Sequence, residues 1–222
     1  MKTAARTTKP ISPSRLRRDR EKAATRRLIL EAARELFTKE GYAETSMRRI
    51  AEQIGYTATA IYHHFEDKDA LLNELCVSDF RALGEALRRM EQLPDPISRI
   101  KAMGVNYVRF AMEHPQQFRF MFMVERPMTA PDASHANPAE DGYAFLVANV
   151  REALDRGDFR PEFQDEEMLA QLVWAGVHGI ATIHLSKPDG GNHHGIILKS
   201  ADETARQMCA LLLRGLLRHP QS

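Results

Sequence analysis

The chain has 222 residues, of which 43% are hydrophobic and 27% charged, a balance that supports a sizeable buried core and excludes a mostly disordered or fibrous protein. Cys76 and Cys209 lie far apart and outside any CxxC pair, so neither a disulfide framework nor a thiolate zinc site is expected. The net charge of +1 conceals an asymmetry: residues 1–27 carry +8 and the remainder −7. This is either a basic arm for a polyanion on a body not built to bind one, or a solvated tail.

In chain order, residues 1–14 lack hydrophobic periodicity and contain Pro10 and Pro13, so a flexible basic arm over 1–20 is expected. From Glu21 the pattern turns helical, with Leu28, Ile29, Ala32, Ala33, Leu36 and Phe37 on one face and a stop near Gly41. Thr45 can cap a second, short helix carrying Met47, Ile50, Ala51 and Ile54, which Gly55 ends. Thr57 can cap a third, with Ala60, Ile61 and Phe65, and Asp67 a long fourth helix running towards Pro94. Further helices are expected at 96–113, 116–125, 139–156, 165–185 and 201–218, separated by Pro- and Gly-rich breaks, and no stretch alternates as a strand would. The expected fold is all-α: a three-helix unit at 21–68, joined by the long helix to a helical body at 69–222. No apolar run approaches the roughly 20 residues of a membrane span and residues 1–22 lack an apolar leader, so a cytoplasmic protein without membrane contact is expected.

The segment SMRRIAEQIGYTATAIYHHF (46–65) carries the chemistry. A helix-turn-helix needs a small residue where its helices cross, a turn residue free to take positive φ and an apolar residue pointing back, and Ala51, Gly55 and Ile61 supply them. Thr57, Thr59, Tyr62 and His63 offer hydrogen bonds on the exposed face of the second of these helices, and no acidic residue stands between Glu52 and Glu66, as contact with phosphates and base edges requires. An ordinary packed helical hairpin is the alternative.

Residues 28–75, including the GY before the second helix, the TS that opens it and the YHHFEDKDALL run, resemble the DNA-binding domain of the TetR family of transcriptional regulators. Two departures are visible: Tyr56 stands where that family more often has a small aliphatic residue, and Thr59 where it often has Gly. The resemblance implies that Ser46 and Arg48 approach the phosphate backbone, that Thr57, Ala58, Thr59, Tyr62 and His63 face the groove, and that Lys68 holds a phosphate at the start of the fourth helix. His64 and Phe65 are expected to pack. In this light the basic arm gains a role in the neighbouring minor groove.

LVWAGVHGIATIHL (172–185) is similar to the WHG-type C-terminal domain of one branch of that family. There the last two long helices pair across a two-fold axis. Leu169, Leu172, Val173, Gly176, Gly179, Ile180 and Ile183, with Ala205, Met208, Cys209, Leu212, Leu213 and Leu216, provide such faces here. For an apolar effector pocket the candidates are Met103, Tyr107, Phe110, Phe122, Trp174 and His178, although aromatic and Met residues at helical spacing also make plain core. His178 lacks a partner at i+3 or i+4, and His193 and His194 sit in a Gly-rich loop. No catalytic residues, metal or cofactor are expected. The expected function is a ligand-responsive, dimeric regulator, most simply a repressor released from a palindromic double-stranded DNA operator by a small apolar molecule. The alternatives are an architectural DNA-binding protein without a ligand, and an enzyme built around His178.

Overall fold

Polar caps and two kinds of glycine set the geometry of this chain, whose computed structural model describes residues 12–125, 141–186 and 197–218. The described residues form helices α1 (Pro13–Glu40), α2 (Met47–Gln53), α3 (Ala58–Tyr62), α4 (Lys68–Arg88), α5 (Pro96–Glu113), α6 (Pro115–Met123), α7 (Gly142–Asp155), α8 (Glu166–Leu185) and α9 (Ala201–Leu216), with a 3₁₀ turn at Arg89–Gln92. The all-α expectation holds. The chain divides into two units between Leu72 and Asn73, inside α4 and four residues beyond the expected boundary.

In the first unit, Ile29, Ala32, Ala33, Leu36 and Phe37 of α1 are buried as one stripe, whereas Leu28, expected on the same face, is exposed. α1 begins at Pro13, which corrects the flexible arm expected over 1–20 for residues 13–20. Missing hydrophobic periodicity reported missing burial, not missing helix. Pro at the first helical position has the required φ, and Arg17 and Glu21 pair at i,i+4 on an otherwise solvated surface. Residues 1–11 of the arm lie outside the described residues.

α2 and α3 pack through the expected trio: Ala51 and Ile61 are buried, and Gly55 takes φ 72° in the turn. That conformation costs a β-carbon-bearing residue strain that glycine avoids.

The second unit is organised on α5, which packs against α6, α7, α8 and α9. Asp95 caps it by accepting from the Ser98 N–H at 2.8 Å, and Pro96 fills its first turn. Asp141, Asp165 and Ser200 cap α7, α8 and α9 in the same manner. Where α5 crosses α9 there is no room for a side chain. A β-carbon on Gly104 would stand 2.5 Å from Cys209 Sγ and 3.2 Å from Val177 Cγ1. Gly176 of α8 likewise lies against Met208, but Gly179 has nothing within 4 Å of its β position within the subunit.

α8 is 20 residues long and apolar enough to cross a membrane by length and composition, which corrects the expectation that no run approaches that length. Leu169, Ala170, Val173, Val177, Ile180 and Ala181 are instead buried in the helical core. The face expected to pair across a two-fold axis is divided. Leu169, Val173, Ile180, Ala205, Cys209, Leu213 and Leu216 are internal core, while Leu172 and Ile183, together with Met168 and Leu211, remain exposed.

Gly104→Ala is expected to lower stability by about 1–3 kcal/mol through overpacking, measured by thermal or denaturant unfolding. Cys209→Ala in the same chain, by removing the sulfur, is expected to recover a large part of that loss.

Candidate functional site

The first unit presents a polar face held by its own backbone. Ser46, not Thr45, caps α2: its hydroxyl accepts from the Arg49 N–H at 3.1 Å, while Thr45 is buried and donates to the Gly41 carbonyl at 2.8 Å. Thr57 caps α3 by accepting from the Ala60 N–H at 3.2 Å. With the ends of both short helices fixed, Ser46, Arg48, Thr57, Thr59, Tyr62 and His63 are all exposed and Ala58 is half-buried. Tyr62 keeps 54% of its surface, a large exposure for an aromatic ring, and the neighbouring Tyr56 keeps 41%. Arg48 pairs with Glu52 at 2.9 Å, an exposed i,i+4 contact that competes weakly with a phosphate.

Lys68 stands at the start of α4, where it was expected, and is engaged within its own unit. Its ammonium donates to the Tyr42 carbonyl at 2.8 Å and the Thr45 carbonyl at 2.9 Å, and sits 4.1 Å over the Tyr42 ring. Two of its three protons therefore gather the loop that leads into α2, a task sequence spacing does not reveal. Tyr42 in turn donates to Asp69, and burial together with that carboxylate raises its phenol well above its usual pKa. Phe65 is buried under the Arg26 guanidinium, 4.0 Å from the ring centre, and Arg26 also donates to the His64 carbonyl. Burial, with Arg26, Lys22 and His63 nearby, holds His64 below the ordinary 6.5.

The second unit contains a cavity of about 660 Å³, within the range of small-molecule sites. Four of the six candidate pocket residues line it: Met103, Tyr107, Phe122 and Trp174. Phe110 does not; it is buried against His114, 4.8 Å between ring centres. His178 stands behind the wall, its Nδ1 2.9 Å from the Tyr107 hydroxyl, and the Trp174 Nε1–H donates to that same hydroxyl at 3.1 Å.

Indole only donates, so the Tyr107 oxygen accepts from Trp174 and keeps its single proton available for His178 Nδ1; in that arrangement His178 is neutral with its proton on Nε2. Burial lowers the His178 pKa in the same sense and raises that of Tyr107. His178 is thus a hydrogen-bonded core histidine.

The cavity's other walls were missed in sequence. Phe80, Leu83 and Leu87 come from α4, Tyr143 and Leu146 from α7, and Glu167 and Gln171 from α8. A signal was present for the last two, because Glu167, Gln171 and Trp174 fall at i, i+4 and i+7 on one helical face. Among the described residues no group of three His, Cys, Asp or Glu could hold a metal. His184 faces the Ile180 and Lys199 carbonyls at 2.9 and 3.0 Å, and His193 and His194 lie outside the described residues.

Residues 29–75 match the family described as bacterial regulatory proteins, tetR family, and residues 100–212 match tetracyclin repressor-like, C-terminal domain. The second match does not speak to the WHG-type resemblance. The HTH-type transcriptional regulator UidR of Escherichia coli is 30% identical over 174 residues, 72% of this chain and 81% of that protein. The HTH-type transcriptional repressor Rv1474c of Mycobacterium tuberculosis is 42% identical over 67 residues, spanning 30% of this chain and only 36% of that protein. Among solved structures, the TetR family transcriptional regulator PfmR from Thermus thermophilus is similar, with 26% identity, a TM-score of 0.66, and 86% and 99% of the two chains covered. A TetR family transcription regulator from Marinobacter aquaeolei reaches a TM-score of 0.72 at 19% identity over 91% and 99% of the chains, a likeness of fold alone.

Tyr107→Phe strips Trp174 of its acceptor and His178 of its donor, and is expected to cost about 1–3 kcal/mol in unfolding experiments. The neutral His178 also predicts a pH dependence. The unfolded chain binds that proton more readily than the folded one, so stability falls as pH drops below about 6.5 and levels off beneath the folded pKa. In His178→Asn, denaturant titrations between pH 7 and 5 should show a smaller loss than in the unaltered chain.

Proposed function

This chain belongs to the tetR family of bacterial regulatory proteins, DNA-binding transcription regulators with ligand-binding C-terminal domains, and from that premise we propose that it is a repressor released from a palindromic operator by a small molecule in the α4–α8 cavity. The observation that carries the reading is the exposed, acid-free face of α3, whose cap leaves Thr57, Thr59, Tyr62 and His63 turned outward. On this reading Ser46 and Arg48 take phosphates, Ala58 approaches a thymine methyl or sugar, and Lys68 acts chiefly by holding the Tyr42–Thr45 loop in place. Its remaining N–H reaches a phosphate.

Two copies reading two half-sites need recognition helices about 34–36 Å apart, or a multiple of that. The exposed Met168, Leu172, Ile183 and Leu211 of α8 and α9 offer an apolar surface for the second copy, and the unoccupied space beside Gly179 suits a close helix approach. The switch runs through α4: Phe80, Leu83 and Leu87 on the cavity wall and Lys68 at the loop belong to one helix. A ligand that favours one position of α4 biases DNA affinity by the difference in its affinity for the two positions. The action is that of a soluble cytoplasmic regulator, and the relatives are named as regulators and not as enzymes, so no turnover is assigned to the cavity.

Selection of sites from random duplex DNA by the purified protein, at two salt concentrations, is expected to enrich one palindrome bound with a steep salt dependence; no enrichment at either salt contradicts the reading. On the selected site, Tyr62→Ala should weaken binding by about 1–3 kcal/mol in equilibrium titration, and intact affinity would contradict the assignment of the α3 face. Leu172→Glu is expected to shift the protein towards monomer in analytical ultracentrifugation.

A further inference from the structure

The cavity is polar in one sense only. Among the described residues its charged lining groups are Glu167 and Asp141, the latter occupied in capping α7, and no Lys, Arg or His lines it. Arg151, which is not part of the lining, pairs with Glu166, its Nε 2.6 Å from Oε2, and also feels the charge of Glu167. The hydrogen-bond donors of the lining are also largely spent. Trp174 gives its N–H to Tyr107 and the Tyr107 hydroxyl is engaged with His178 Nδ1, while Tyr143 donates to Glu167 Oε2 at 3.1 Å. The Gln171 amide is what the described lining side chains still have to give as an N–H donor. Acceptors are left in excess, which favours a ligand that donates and disfavours a carboxylate or phosphate.

The aromatic rings point the same way. Phe122 and Tyr143 stand around Trp174, with ring centres 6.4 and 5.9 Å from its own, and ring faces carry the negative part of the aromatic quadrupole, which attracts cations. Glu167 and Gln171 are exposed, whereas Met103, Leu146, Val173 and Val177 are buried. The negative end therefore lies where the cavity meets solvent, and the apolar end lies inside.

From this arrangement we infer that the cavity takes an amphipathic cation, an apolar body with a protonated amine or quaternary ammonium head, the head resting among Trp174, Tyr143 and Glu167. The inference rests on the reading of this cavity as the effector site and specifies the chemistry of the occupant. Glu167 supplies the countercharge and the rings the desolvated surface that an organic ammonium accepts more readily than water-bound metal ions do.

The test uses the chain's single tryptophan, Trp174, as reporter. The full-length protein is titrated, below micelle concentrations, with decyltrimethylammonium, 1-decanol and decanoate, which share a ten-carbon chain and differ in head charge. The expected result is quenching or a shift of Trp174 emission by the cation at a Kd about tenfold or more below that of decanol, with decanoate weakest. In Glu167→Gln the advantage of the cation should shrink to within about threefold while decanol binding is unchanged. Equal binding of all three, or a cation preference untouched by Glu167→Gln, overturns the inference and leaves the cavity as an apolar effector site. Binding of none overturns both this inference and the effector reading of the cavity.

Discussion

The second unit depends on one close approach, that of α5 to α9 at Gly104. With hydrogen as its side chain, Gly104 lets Cys209 come to within a distance that a β-carbon would forbid, with Val177 tight beside it. α5 can then be covered by α7, α8 and α9 at once, which buries Ile100, Met103, Tyr107, Val108 and Ala111. A helix enclosed on so many sides must settle its polar groups internally. Tyr107 does so by accepting from Trp174 while its hydroxyl engages His178 Nδ1. The Tyr107, Trp174 and His178 side of the cavity is therefore a hydrogen-bonded panel set against the close approach at Gly104.

Much of this was legible in the sequence. Helical periodicity and the Pro- and Gly-rich breaks placed α5, α8 and α9 within two residues of where they lie, and the fold caps them with Asp95, Asp165 and Ser200. The helix-turn-helix trio was readable for the same reason. Its cap was misassigned by one residue because Thr45 and Ser46 are chemically equivalent and only the fold decides which hydroxyl turns inward. The start of α1 was missed because a helix with no buried stripe leaves no apolar period to find.

The cavity was legible only in part, for a different physical reason. Met103, Tyr107, Phe122 and Trp174 announce themselves as large adaptable apolar groups, but so does Phe110, which the fold spends on core packing. What separates a pocket from a core is absence of filling, a property of how α4, α7 and α8 are spaced that no local pattern encodes. Lys68 teaches the converse. A lysine at the start of a helix beside a DNA-facing loop reads naturally as a phosphate ligand, yet its protons find carbonyls of the same unit first.

The central claim is that occupancy of the cavity and grip on DNA are linked. Linkage is reciprocal, so the most direct measurement is a pair of titrations on the selected operator: DNA affinity with and without saturating decyltrimethylammonium, and affinity for that cation with and without saturating DNA. The account predicts that both affinities fall by the same factor, about 5- to 150-fold, the usual span of allosteric coupling. A cation that binds the Trp174 cavity while DNA affinity stays unchanged would contradict it, leaving a DNA-binding protein whose cavity plays no part in release.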